Sequence, residues 1–369
     1  MAATDRPEET TDRVAAVCRD AGFVRLVGTA DGDALAATGL LARALGAADV
    51  PYQASCTEHP TAPETEADCT IAVGWNGGDE SLGSEPLAPL AYRIAREIAP
   101  ESADPILALA GVVAFGDEPD GEILESAQLN RRAGVALPTD DRIEGLASTT
   151  VVRADFSGDE TIVREELDRL DPPIEGNEPD GDGDRDALDR RLASWVALSI
   201  PDTSPPRAAE VVEDALRPYV CDRFETLGGF AEVLDALARE QPGTGIALAL
   251  GQDIREAALD VWKRHGRRSH RALDEAETSR YDGLFVASVG DDAPIGTVAR
   301  LSFAFRAPEP IALVVRDGAA AIAADRSIER PIRDASSTLD GRATVRGRRG
   351  RVRFDGTGDE FVTAFREAL

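Results

Sequence analysis

Between residues 23 and 46 the chain reads FVRLVGTADGDALAATGLLARALG. Val24 and Leu26 open a short apolar strand, Asp31-Gly32-Asp33 form a turn, and an alanine- and leucine-rich helix follows. A strand passing through a turn into a helix opens a parallel α/β unit, and such folds hold their ligands at the carboxyl ends of strands. Asp31 and Asp33 therefore stand where a cleft is expected. To hold a divalent metal there, further oxygen or imidazole ligands must converge from other strand ends. Otherwise Asp33 has a simpler use, capping the open amides at the start of the helix and favouring its dipole.

The alternation continues. Residues 51–55 and 68–73 read as a second and third strand, the latter running into Gly74-Trp75-Asn76-Gly77-Gly78. Residues 87–98 have apolar positions on a helical period, and residues 105–115 are apolar throughout, closing on Gly116-Asp117. Residues 122–132 read as a helix, 149–152 as a strand and 161–170 as a helix. Strands alternating with helices at this spacing imply a parallel sheet with crossover helices.

Residues 171–189, DPPIEGNEPDGDGDRDALD, carry proline, glycine and acids without periodicity, the composition of an acidic linker or exposed loop. A calcium loop beginning at Asp180 fails, because its sixth position is Arg185 and its twelfth is Arg191. The stretch divides an N-terminal α/β domain at residues 1–170 from a helical connection and smaller mixed α/β domain at 190–369. Helices are expected at 187–198, 208–217, within 224–240, and at 254–265, with an apolar stretch at 243–251. Residues 283–289, 299–305 and 310–316 read as strands, before a last strand pair and a terminal helix at 359–369.

With 369 residues, each of two domains is long enough to bury a core. The formal charge of −28 is the outlier, and the basic residues are arginines apart from Lys263. Abundant acids, near-absent lysine and plentiful alanine are the composition of a protein working in high salt, where a hydrated acidic surface keeps it soluble. The net charge thus does not exclude a nucleic-acid partner, and local basic patches carry that information. Cys18, Cys56, Cys69 and Cys221 lie far apart without CxxC spacing, which suits buried thiols in a reducing compartment better than a disulfide or zinc framework. The polar start MAATDRPEETTDR is no signal peptide and no apolar run reaches membrane-span length, so a cytoplasmic protein is expected. Motifs of P-loop, GxGxxG and GxSxG type are absent.

The order of segments resembles the DHH phosphoesterase superfamily, and within it the archaeal RecJ-like branch. Its first motif is a strand ending in His-x-Asp-x-Asp-Gly before an alanine-rich helix; the matching residues are Val27-Gly28-Thr29-Ala30-Asp31-Gly32. The final Asp-Gly is kept, with Val27 for the histidine and Thr29 for the first aspartate. DCTIAVGWNGG resembles the second motif, with Gly74 in place of the acid. The Asp-His-His motif is missing, the only histidines being His59, His265 and His270. LALAGVVAFGD resembles the fourth motif and ends at Asp117. GGFAEVLDALAREQPGTGIALALG resembles a helix-and-glycine passage of the RecJ-like proteins.

The resemblance implies the fold, with Asp31 and Asp117 as vestigial metal positions. A two-metal site needs roughly six or seven ligands. It therefore implies a non-catalytic scaffold in DNA replication or repair, without cofactor, holding single-stranded DNA and/or a GINS-type replication protein. The alternative it implies is an active Mn²⁺- or Mg²⁺-dependent 5′–3′ single-strand exonuclease or phosphodiester hydrolase.

Residues 341–353, GRATVRGRRGRVR, hold Arg342, Arg346, Arg348, Arg349, Arg351 and Arg353 and no acid. Arginines along a glycine-punctuated β-hairpin can track phosphates, or pair with neighbouring acids. The Gly-Gly-His element usual in this domain of the family is absent. A second basic run, Trp262 to Arg271, reads as a basic helix end, its two histidines being spaced wrongly for one metal-binding face.

Overall fold

The computed structural model describes residues 7–61, 67–83, 86–170 and 182–369. Its elements are, in chain order, α1 (Pro7–Asp20), β1 (Val24–Thr29), α2 (Gly32–Ala47), β2 (Tyr52–Thr57), β3 (Cys69–Val73), β4 (Glu80–Leu82), α3 (Leu87–Ile98), α4 (Pro105–Phe115) and α5 (Gly121–Ala127). There follow α6 (Arg142–Ser148), α7 (Glu160–Asp168), α8 (Asp182–Leu198), α9 (Arg207–Ala215), α10 (Leu227–Glu240), α11 (Pro242–Ala249) and α12 (Arg255–Glu275). The last elements are β5 (Glu277–Tyr281), β6 (Leu284–Ser288), α13 (Ile295–Phe305), β7 (Ile311–Arg316), β8 (Ala319–Ala324), α14 (Glu329–Thr338), β9 (Arg342–Arg346), β10 (Arg349–Arg353) and α15 (Gly358–Ala368).

Two compact units alternate along the chain: Met1–Arg131 with Tyr219–Trp262, and Arg132–Pro218 with Lys263–Leu369. In the first, four parallel strands stand in the order β2-β1-β3-β4. All six residues of β1 are buried, so the strand is apolar except at Arg25 and Thr29. Helices α2, α3, α4 and α10 pack on one another around Leu35, Leu40, Leu90, Leu107 and Leu234. Small residues permit this closeness: a Cβ on Gly111 would lie 2.5 Å from the Ala88 Cβ and 3.0 Å from that of Ala36.

In the second unit a six-stranded mixed sheet has the order β5-β6-β7-β8-β10-β9, with β6 and β7 parallel and the other neighbours antiparallel. Period-two alternation sorts its residues between two cores. Phe285, Ala287, Ala312, Val314, Ala321 and Ala323 face α13, while Val286, Leu313, Val315, Ile322 and Val352 face α14 and α15. The protein is thus α/β, with a parallel sheet in one unit and a mixed sheet in the other.

Four sequence expectations change. Residues 299–305 belong to helix α13: Leu301, Phe303 and Phe305 imitate strand alternation, but Val298, Leu301, Ser302 and Phe305 recur on the helical period and are buried. Residues 149–152 form no strand. The helix expected at 122–132 ends at Ala127, because Gln128 takes a left-handed φ of 52°. The helix expected to end at His265 runs on to Glu275, so the second basic run lies inside a helix and is no helix end. Of the acidic stretch 171–189, residues 171–181, including Asp180, lie outside the described residues, and α8 begins at Asp182.

Candidate functional site

At the carboxyl end of β1 the chain turns into α2, and Asp31 is the N-cap of that helix. Its Oδ1 accepts the Ala34 N–H at 3.0 Å, and its Oδ2 accepts the Thr29 hydroxyl at 2.7 Å. Asp33, the cap expected for this helix, instead serves the start of another one. It is fully buried, and its two oxygens accept the N–H groups of Leu87 and Ala88, each at 2.8 Å. Pro86 at the N-cap of α3 offers no side-chain acceptor, so Asp33 supplies the cap from another helix.

Asp235 of α10 lies within the helix-and-glycine passage, where no spacing marks it as a site residue. Its Oδ1 accepts the Gly32 N–H at 3.1 Å, and it pairs with Arg239 one turn on. The amino end of α2 is therefore served by two carboxylates, its own Asp31 and an Asp235 that lies 203 residues beyond the Gly32 it accepts from. It is also tightly covered. A Cβ on Gly32 would stand 2.7 Å from the Ala114 Cβ and 3.1 Å from the Asp235 backbone nitrogen. Helix dipole and open amides make such an end a natural phosphate site. Here the Gly32 and Ala34 donors are spent on the chain's own anions.

The neighbouring strand ends fit the same picture. Gly74 follows β3 with φ of 82°, a backbone that favours glycine. The next residue, Trp75, donates its indole Nε1–H to the Val27 carbonyl at 2.7 Å. Asp117 is exposed, beyond the left-handed Gly116 that caps α4, and its amide reaches back to the Val112 carbonyl. Among the described residues, no three or more His, Cys, Asp or Glu side chains are grouped to hold a metal ion. Burial pushes the Cys18 and Cys56 thiols up to about 12 and the Cys69 thiol up to about 11, so none offers a thiolate at neutral pH. The donors at the β1 end do not fit a two-metal centre.

The arginine segment folds as the hairpin β9–β10, with Gly347 at φ 55° beginning its two-residue turn. Opposite residues share a face, so Arg342, Arg346, Arg349, Arg351 and Arg353 all lie on one side of the sheet, the side that carries Ala321 and Ala323. Arg346 is buried, and Arg351 lies against α13, where a Cβ on Gly296 would stand 2.9 Å from its Nη2. Arg342 and Arg353 are exposed, as is Arg348 in the turn.

The second basic run is largely engaged within its own unit. Lys263 pairs with Glu144 at 3.0 Å, Arg267 pairs with Glu160, and Arg268 donates to the Asp292 carbonyl. His265 and His270 are buried, the first 2.8 Å from the Thr297 hydroxyl and the second donating to the Thr149 carbonyl at 2.7 Å. They do not form a metal pair.

Residues 276–367 match the family described as the C-terminal domain of uncharacterized protein rrnAC1427. Over its whole length the chain is 48% identical to uncharacterized protein rrnAC1427 of Haloarcula marismortui, with 100% of each chain covered. The chain belongs to the rrnAC1427 family. Among solved structures, CDC45 of Entamoeba histolytica matches with a TM-score of 0.57 at 9% identity, over 98% of this chain and 97% of that one. The fold of this rrnAC1427-family chain is therefore like that of CDC45. RecJ of Thermus thermophilus in complex with Mg²⁺ aligns at 15% identity and a TM-score of 0.47 over 98% of the chain, which spans about half the length of that RecJ (52%). No helix among the described residues is long and apolar enough to cross a membrane.

Proposed function

We propose that this chain is a non-catalytic RecJ-like protein of DNA replication or repair, a scaffold that binds single-stranded DNA and/or a GINS-type partner without a metal cofactor. The observation that carries the reading is the closure of the amino end of α2 by Asp31 and Asp235. A phosphodiesterase of the resembled type clamps the attacking and leaving oxygens between two ions. In this chain the retained aspartate caps a helix, the first aspartate of the motif is a threonine that donates to it, and Gly74 replaces the third acid. The similarity of fold to CDC45 supports the same reading by analogy of architecture. The exposed arginines of the β9–β10 hairpin supply a cationic contact surface on a chain of net charge −28.

Incubation of the full chain with labelled single-stranded DNA and Mn²⁺ in high salt tests this. The expected result is retention of intact DNA or none at all, with no product. Product release that disappears in Asp31→Ala would establish the exonuclease alternative.

A further inference from the structure

The β9–β10 hairpin sets like charges directly opposite one another, Arg342 against Arg353 and Arg346 against Arg349. Such cross-strand pairs destabilise an isolated sheet. At the other edge, β5 carries both signs, and its Arg280 pairs with Glu309 at 2.6 Å. Charge that merely protects an edge from aggregation needs no such one-signed array.

The ladder shows where the backbone of β9 points. The Arg348 carbonyl accepts the Ala324 N–H at 3.0 Å, and the Phe354 N–H reaches the Gly318 carbonyl at 3.1 Å. Even-numbered residues of this segment thus bond toward β8, and Arg349, Arg351 and Arg353 toward β9. By register, Arg342, Thr344 and Arg346 return those bonds. Ala343 and Val345 therefore turn their N–H and C=O groups to the outer side of β9, which is the last strand of the sheet.

We propose that β9 is a docking edge for an extended acidic strand of a partner protein, which adds to the sheet and sets its carboxylates against Arg342 and Arg353. This rests on the scaffold reading above and names how that scaffold grips its partner. Strand addition satisfies main-chain groups at strand spacing, which a nucleic acid cannot do, and side-chain pockets on alternate residues then give specificity. β8, β9 and β10 contain no aromatic residue, so bases find no stacking platform there. Backbone bonds also hold in high salt, where phosphate contacts weaken steeply. The strand that fits alternates acidic residues, facing the arginines, with apolar ones on the side of α14.

The test uses the full chain and a labelled synthetic peptide of alternating glutamate and valine, with oligo-dT as the competing class. Peptide binding is expected in low and high salt, and Ala343→Pro, which removes an outward N–H but no ladder bond, is expected to weaken it about tenfold or more. The double variant Arg342→Glu/Arg353→Glu is expected to weaken it at least as much. Peptide N-methylated on the β9-facing amides should bind about tenfold less tightly to the unaltered chain, which covers the case that Ala343→Pro misfolds. Equal affinity for methylated and unmethylated peptide overturns the proposal. So does binding of oligo-dT alone, abolished by the charge reversal, which would leave the scaffold reading standing with DNA as its ligand. Failure of the scaffold reading shows separately, as Mn²⁺-dependent cleavage.

Discussion

The Asp33 carboxylate receives the Leu87 N–H at 2.8 Å from inside the core of the first unit. A residue that reads in sequence as part of an acidic catalytic turn is thereby a helix cap. Asp33→Ala leaves two buried donors at the start of α3 without an acceptor, at a cost of about 2–4 kcal/mol. Asp31→Ala removes a half-buried N-cap at a cost of about 1 kcal/mol. Denaturant midpoints should fall in both variants, further in the first. An increase in stability for Asp31→Ala would instead mark carboxylates held together against mutual repulsion, as in a metal site without its ion.

Gly266 sits in the middle of α12, where alanine would ordinarily stabilise a helix by about 1 kcal/mol. A Cβ there would overlap the backbone carbonyl oxygen of Ser148, which cannot swing aside as a side chain can. Gly266→Ala is expected to lower stability by about 2 kcal/mol or more. Gly243 in α11 has open space around its Cβ direction, and Gly243→Ala should be neutral or stabilising by up to about 1 kcal/mol. Thermal melts of the two variants should move in opposite directions.

Burial, with Arg153, Arg300 and His265 nearby, holds the His270 imidazole down at about 3, against 6.5 for an ordinary histidine. Its Nε2–H bond to the Thr149 carbonyl opposes that shift only in part. The folded chain therefore keeps it neutral while the unfolded chain takes up a proton below pH about 6.5. Stability from this residue is full above that pH and falls by about 1.4 kcal/mol per unit as the pH drops toward 3. Comparing unfolding free energies across that range for the unaltered chain and His270→Gln isolates this share. Parallel pH profiles in the two proteins would refute it.

The α/β class and the parallel sheet were legible in the sequence because β1, β3 and α4 are short, largely apolar runs, α3 is apolar on a helical period, and turn residues bound them. Strand β8 escaped notice because AAAIAA has weak strand propensity, and the mixed sheet supplies its stability through neighbours on both sides. Helix α13 imitated a strand through its alternating Leu301, Phe303 and Phe305. At the candidate site, the motif positions Val27, Thr29 and Gly74 could be read directly. What occupies their place could not: the bonds from Gly32 to Asp235 and from Leu87 to Asp33 join residues far apart in sequence. No local pattern marks a carboxylate as the cap of a distant helix. The arginine hairpin was visible as composition, but only the register shows which side chains share a face and where the backbone of Ala343 points.

On the proposed scaffold reading, the carboxylates at the amino end of α2 serve backbone amides and hold no metal. Titration of Mn²⁺ into the full chain, followed by calorimetry in parallel with Asp31→Ala, tests it most directly. The expected result is identical traces for the two proteins, with no saturable site that depends on Asp31. One or two Mn²⁺ ions bound per chain and lost on the substitution would contradict it.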